Sequence, residues 1–238
     1  AVGNNGTRLR WNGTAWAIEA SGVTDDLSAV FGTGPSDVWN TGTNGQLQHF
    51  DGAIWSKVNP GAGSTQLRGG SALDPQNVWV VGNSGESYRW VMPSWVRSVW
   101  PSKENLYGAV SPSLSSVLVA GGAGTLLWWN GSSWAGVPTN VSRDLRALWF
   151  DSVKSVWAAG QDGVVIQTTT TTPPTAATLS KGQLTTPIRS VWGSSGDNAW
   201  AVGDSGLILR RKASGWEQEP SNTTVRLNRV FGFAGGRV

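Results

Sequence analysis

Arg68, Tyr107, Arg146 and Arg189 carry the most pointed chemistry in this sequence, because all four follow the first apolar residue of one recurring segment. Ser28 and Asn228 fill the same column. A guanidinium fork matches carboxylate, sulfate or phosphate oxygens in pairs. Three such groups brought together repel one another unless they are solvated, paired or holding an anion. Two outcomes follow. Either the arginines pair with turn carboxylates such as Asp162 and Asp204 or stay solvated, or they form a cationic funnel for an acidic group on a glycan or a protein. Trp100 and Trp128 stand outside the repeated tryptophan columns, which makes them the best candidates for an exposed aromatic face, with packing as the alternative. These six residues form the expected ligand-binding set.

Other chemistries find few residues. His49 is the single histidine and cysteine is absent, which removes histidine-cluster and thiolate metal sites and argues against a Ser-His-Asp triad. A glycosidase needs a carboxyl pair with one member in a shielded cleft. The acidic residues instead fall mainly in turns, with Asp37, Asp74, Asp151 and Asp197 in one kind and Asp51 in another. Turn capping accounts for them. No catalytic residue, metal or cofactor is expected.

The element that must position these side chains is a repeat. Val-Trp-x-x-Gly occurs at Val38–Gly42, Val78–Gly82 and Val156–Gly160, with variants at Ala199–Gly203 and Val117–Gly121. Its second residues are spaced 40, 39, 39 and 43 positions apart. Ahead of it lies Leu-x-x-Val-Trp/Phe or a close variant, as at Leu27–Phe31, Leu145–Trp149, Ile188–Trp192 and Leu227–Phe231. After it comes Gly-x-x-Gly, suited to a hairpin that needs positive φ. An alternating segment such as Thr7–Trp11 follows, then a turn Asn/Asp-Gly-x-x-Trp at Asn12–Trp16, Asp51–Trp55 and Asn130–Trp134.

Four-stranded units of about 40 residues are the pattern of propeller blades, whereas solenoid repeats are usually shorter and carry a parallel strand or helix. The expected fold is all-β: a six-bladed β-propeller of four-stranded antiparallel blades forming one domain over residues 1–238. Its sixth blade is expected to be shared between the N- and C-termini, although the tryptophan that the pattern places between Val238 and Ala1 is missing. One unit departs from the pattern: Thr168–Thr172 and Pro173-Pro174 replace the Gly-x-x-Trp turn, predicting an irregular outer edge and a mobile loop. Trp39, Trp79, Trp157 and Trp200 in the second strand, and Trp16, Trp55, Trp95, Trp134 and Trp216 in the fourth, are expected to pack between blades. The first strand of a blade is innermost, so the arginine column is expected at one asymmetric channel mouth.

The Asn/Asp-Gly-x-x-Trp turns resemble the Asp-box repeats of bacterial neuraminidases. Taken with Leu-x-x-Val-Trp and Trp-x-x-Gly-x-x-Gly, essentially the whole chain is similar to propellers related to the photosystem II assembly factor Ycf48. Similar tandem units occur in exported myxobacterial proteins. The resemblance implies architecture before function, since one fold hosts many activities. Sialidase chemistry would imply an arginine triad, a Tyr nucleophile with a Glu partner and an Asp acid/base. Only Tyr88 and Tyr107 are present, and Tyr88 shares its column with Leu9, Leu127 and Leu209, which predicts burial. Resemblance to Ycf48 implies a protein–protein scaffold or assembly factor.

Composition agrees with sheet: 16 Trp and 32 Gly stand against one Met, and charged residues make up 14%. No run approaches the ~18 apolar residues of a membrane span. A net charge of +3 without a Lys/Arg run gives no nucleic-acid arm. The function expected first is a non-catalytic module recognising carbohydrate, in a bacterial protein secreted or held at the cell surface. A protein–protein scaffold is the alternative, and a glycosidase ranks third.

Overall fold

In a computed structural model, the described residues are 1–101, 103–151, 155–169, 173–175, 177–181 and 184–232. The chain divides into two compact units, Ala1–Ser111 and Pro112–Val238. Among the described residues every strand pairing is antiparallel, and the only helical pieces are short 3-10 turns.

The first unit opens with a two-stranded sheet, β1 (Leu9–Trp11) and β2 (Trp16–Ile18), extended by a bridge between Val2 and Arg8. Next comes a four-stranded meander of β3 (Leu27–Gly34), β4 (Asp37–Gly42), β5 (Leu47–Phe50) and β6 (Trp55–Lys57). A second meander follows the same order through β7 (Leu67–Asp74), β8 (Asn77–Gly82), β9 (Glu86–Val91) and β10 (Ser94–Val99). The division between units falls inside β11 (Leu106–Ser113), the first strand of a sheet continued by β12 (Ser116–Gly121), β13 (Leu126–Trp129) and β14 (Trp134–Gly136).

Two further meanders complete the second unit. One contains β15 (Leu145–Phe150), β16 (Ser155–Gly160), β17 (Val165–Thr169) and β18 (Thr178–Lys181). The other contains β19 (Ile188–Ser195), β20 (Asn198–Gly203), β21 (Ile208–Lys212) and β22 (Gly215–Glu219). Among the described residues each strand predicted from the repeat is therefore present, with one exception. Leu227–Phe231, expected as a first strand, is assigned to no strand, and the residues expected to pair with it include 233–238, which lie outside the described residues. The atypical unit does have a fourth strand, β18, joined to β17 with an irregularity at Val165/Ile166. The loop expected to be mobile there falls partly on residues 170–172 and 176, outside the described residues.

The repeated glycines have a steric cause. At the Gly-x-x-Gly turns the third residue and the final glycine both have positive φ, as at Asn44 (52°) and Gly45 (67°) or Asp162 (54°) and Gly163 (67°). The first glycine is needed for closeness instead. A Cβ on Gly160 would lie 1.8 Å from the Asp144 carbonyl oxygen. The Asn/Asp-Gly-x-x-Trp turns are fold devices too: Oδ1 of Asn12, Asp51 and Asn130 each accepts the backbone N–H groups two and three residues on, at 2.8–2.9 Å.

The core is a stack of repeated columns. Leu27, Leu67, Leu145 and Ile188 start their strands fully or almost fully buried. In the first unit Trp39 meets Trp95 edge to face at 5.9 Å, and in the second Trp157 meets Trp216 at 5.7 Å. A second-strand tryptophan on the fourth-strand tryptophan of the next sheet is thus the recurring contact, as the columns predict.

Candidate functional site

Every arginine of the predicted column sits at a bulge. The register shifts between Leu67 and Gly69, between Leu145 and Ala147, and between Ile188 and Ser190, so Arg68, Arg146 and Arg189 are the extra residues. A bulge re-aims a side chain away from the ladder. Here each guanidinium is turned onto a neighbour in its own unit. Arg189 makes a two-pronged contact with Asp204, Nε to Oδ1 at 2.8 Å and Nη2 to Oδ2 at 2.7 Å. This raises the arginine's pKa and holds the Asp204 carboxyl below its ordinary value, with Arg226 and Arg146 adding further pull on the acid. Arg146 reaches Asp144 at 3.0 Å. Arg68 donates from Nε to the Asn83 side-chain oxygen and lies over the Tyr107 ring at 5.3 Å.

Arg189 therefore takes the carboxylate partner expected of it, whereas Asp162 does not serve this column; it pairs with Arg143. Arg68 and Tyr107 belong to the first unit, and Arg146 and Arg189 to the second.

Of the two singled-out tryptophans, Trp128 departs from the expected exposure and Trp100 is partly exposed. Trp128 is buried at 7% exposure and donates its indole N–H to Ser116 Oγ at 3.1 Å. The reason is an exchange across a strand pair. Trp128 stands opposite Leu118, whereas in neighbouring sheets the tryptophan is on the second strand and a smaller or polar residue stands opposite. Trp100 is half-buried, its backbone N–H bonded to the Gly85 carbonyl at 2.8 Å in the connection after β10.

Tyr88, Glu86, His49 and Asp37 each have partners within the fold. Tyr88 is fully buried, and its hydroxyl donates to Glu86, which also binds Arg97 at 2.6 Å. Burial, and then Glu86, push the phenol up to about 12. A Tyr–Glu–Arg group thus exists that the sequence reading missed, with Tyr88 buried and the Arg97 side chain exposed. His49 stacks on Trp39 at 4.0 Å and meets Asp37 Oδ1 at 2.8 Å. Burial works against the Asp37 carboxylate, yet hydrogen bonds from Thr33, His49 and Trp39 hold its pKa below the ordinary value. Both Asp37 oxygens are thereby committed to structure. Among the described residues no cluster of three or more His, Asp or Glu side chains is arranged to hold a metal ion.

The strongest candidate surface is a groove in the first unit that was not singled out in the sequence. It encloses about 350 Å³ and is lined by Arg10, Trp11, Trp16, Val30, Phe50 and Trp55, among others. Trp11 is 49% and Trp16 58% exposed, with ring centroids 5.6 Å apart. Arg8, in the same lining and 3% exposed, lies over Trp55 at 4.0 Å and pairs with Glu19 at 3.0 Å. Glu19 also accepts the Trp55 indole N–H at 2.9 Å. Arg10 covers the face of Phe50 at 5.0 Å. The exposed part of the lining thus joins the Trp11 and Trp16 rings to the Arg10 side chain, while Arg8 is buried against Trp55.

No protein-family model matches the chain, and no curated protein does. Solved structures do. YCF48 from Cyanidioschyzon merolae aligns with 94% of this chain and 81% of its own at 21% identity and a TM-score of 0.69. The RRP9 WD40 repeats align with 99% of this chain and 80% of theirs at 10% identity and a TM-score of 0.75. U3-55K aligns with 95% of this chain and 77% of its own at 9% identity and a TM-score of 0.70. Together with the repeated four-stranded sheets, these likenesses show an all-β chain of Ycf48-like propeller fold. No helix among the described residues is long and apolar enough to cross a membrane.

Proposed function

We propose that this chain is a protein-binding propeller module without catalytic activity, its six sequence repeats serving as six blades. The observation that carries this reading is the aromatic groove beside β1, walled by Trp11, Trp16, Phe50, Trp55 and Arg10. Tryptophan and arginine are the residues that dominate the energetics of protein interfaces. A groove of this volume falls within the range that binds ligands or anchoring side chains, about 300–1,000 Å³. The carbohydrate reading has less behind it. Sugar stacking needs an open aromatic face, but Trp128 is buried and the Trp11 and Trp16 rings lie against each other. The arginine column is engaged by Asp204, Asp144, Asn83 and Tyr107, which favours a structural role over an anion funnel.

The test is a paired screen of the folded protein against a displayed library of random peptides and a glycan array. Enriched peptides with no glycan above background are expected. Glycan binding with no peptide enrichment would overturn the proposal.

A further inference from the structure

An asparagine followed by glycine is a step at which a polypeptide can modify itself, because glycine adds no side chain to hinder attack by its own backbone nitrogen. The chain has four such steps: Asn5-Gly6, Asn12-Gly13, Asn44-Gly45 and Asn130-Gly131. The fold treats them as two pairs. Gly6 and Gly45 donate their backbone N–H groups to the Asp25 and Thr65 carbonyls, each at 2.9 Å. A Cβ on them would lie 1.9 Å from the Val23 oxygen and 2.4 Å from the Gly63 oxygen, so both glycines are walled in. Gly13 and Gly131 are exposed, and among the described residues their N–H groups join no hydrogen bond.

The open pair also has its carboxamide prepared for attack. Both steps lie in the same kind of turn, Trp11-Asn12-Gly13-Thr14-Ala15-Trp16 and Trp129-Asn130-Gly131-Ser132-Ser133-Trp134. Oδ1 of Asn12 accepts from the Thr14 N–H, the Ala15 N–H and the Thr14 hydroxyl, each at 2.9 Å. Oδ1 of Asn130 accepts from the Ser132 N–H, the Ser133 N–H and the Ser132 hydroxyl, again each at 2.9 Å. Three donors on one carbonyl oxygen polarise its carbon, and they stabilise the negative charge that the oxygen gains when the carbon is attacked. At Asn5 and Asn44 no donor among the described residues reaches Oδ1, and the Asn44 amide nitrogen is instead tied to Asp25 at 2.6 Å.

We propose that Asn12 and Asn130 are self-modification sites, each turn acting as the oxyanion hole for deamidation of its own asparagine. The Gly13 nitrogen gives up its proton and bonds to Cγ of Asn12, with Oδ1 carrying the charge among its three donors. The Cγ–Nδ2 bond then breaks, the nitrogen takes up a proton and leaves as ammonia, and a succinimide ring remains. Water opens the ring to aspartate or isoaspartate, and no oxidant or reductant takes part. Gly131 and Asn130 react likewise. Asp51 already fills the equivalent place and accepts the same pair of N–H groups at 2.8 and 2.9 Å, so the aspartate product keeps the turn. Each event adds one negative charge to a chain whose net charge is +3, and at position 12 that charge lies next to Trp11 of the groove.

The test holds the folded protein in mildly alkaline buffer beside the same chain in guanidinium chloride, and peptide mapping by mass spectrometry follows the four steps separately. In the folded chain Asn12 and Asn130 are expected to convert at least as fast as in denaturant. Asn5 and Asn44 are expected to convert about tenfold or more slowly than in denaturant, because their glycine nitrogens react only when the local structure opens. Thr14→Val and Ser132→Ala each remove one donor from an exposed turn. Each is expected to slow its own site about threefold to tenfold, less than the loss in a water-excluded oxyanion hole, and to leave the other site unchanged. Circular dichroism checks that both variants stay folded. Slower conversion of Asn12 and Asn130 in the folded chain than in denaturant overturns the inference. So does conversion of Asn5 and Asn44 that keeps pace with them, or rates that neither variant alters.

Discussion

Replacing Trp157 by alanine isolates the contact on which the repeat depends. The side chain is 1% exposed, meets Trp216 edge to face at 5.7 Å, and lies under the Arg211 guanidinium at 5.5 Å. A buried tryptophan removes about 150–250 Å² from water, worth about 4–6 kcal/mol at ~25 cal/mol/Å². That figure is an upper bound, since unfolded chains already bury part of their surface, and measured Trp→Ala losses in cores are about 3–5 kcal/mol. In a chain of this size each kcal/mol lowers the melting temperature by about 2–4 °C, so a fall of about 6–20 °C is expected. Trp16→Ala is the internal control: its side chain is 58% exposed, and a loss below about 1 kcal/mol is expected. Urea titration followed by far-ultraviolet circular dichroism reads both. If Trp157→Ala loses no more than Trp16→Ala, the second-strand tryptophans are not packing elements and the argument built on their columns fails.

Other perturbations probe the remaining parts of the account. Gly160→Ala sets a Cβ 1.8 Å from the Asp144 carbonyl and is expected to cost about 1–3 kcal/mol, while Gly34→Ala, with nothing within 4 Å, is expected to be near neutral; equal melting temperatures would refute the steric reading. Asp204 has a depressed folded pKa, so its contribution is complete above the unfolded value of about 4 and is lost as pH falls through the folded value. Asp204→Asn should therefore flatten the stability profile below about pH 4 relative to wild type, and an unchanged profile would show the Arg189 contact to be energetically idle. Subtracting the alkaline absorbance titration of Tyr88→Phe from that of wild type should give a phenol titrating at about 12, and a value at the ordinary 10 would contradict its burial beside Glu86.

The strands and turns were legible because periodicity exposes them. The spacing of Trp39, Trp79, Leu118, Trp157 and Trp200 located the second strand in five sheets, and Gly-x-x-Gly marked the residues with positive φ. Trp128 was misplaced because each column was read alone. Leu118 and Trp128 face each other, so the leucine in the tryptophan column was the sign that the ring had moved across the pair. The arginine column was found but not its geometry, since a bulge leaves no mark in a linear pattern when the bulged residue is an ordinary Arg. The β1 groove was hidden for another reason. Trp11, Trp16 and Trp55 look like routine repeat positions, and only the structure shows that Trp11 and Trp16 are about half exposed beside Arg10 and Phe50.

Photocrosslinking tests the protein-binding account most directly. A peptide enriched in the displayed-library screen, carrying a photoreactive aromatic, is bound to the chain and the products are mapped by mass spectrometry. The account predicts adducts on Arg10, Trp11, Val30, Phe50 or Trp55, suppressed by excess unlabelled peptide. Adducts centred on Arg68, Arg146 or Arg189, or scattered adducts that excess peptide does not suppress, would contradict it.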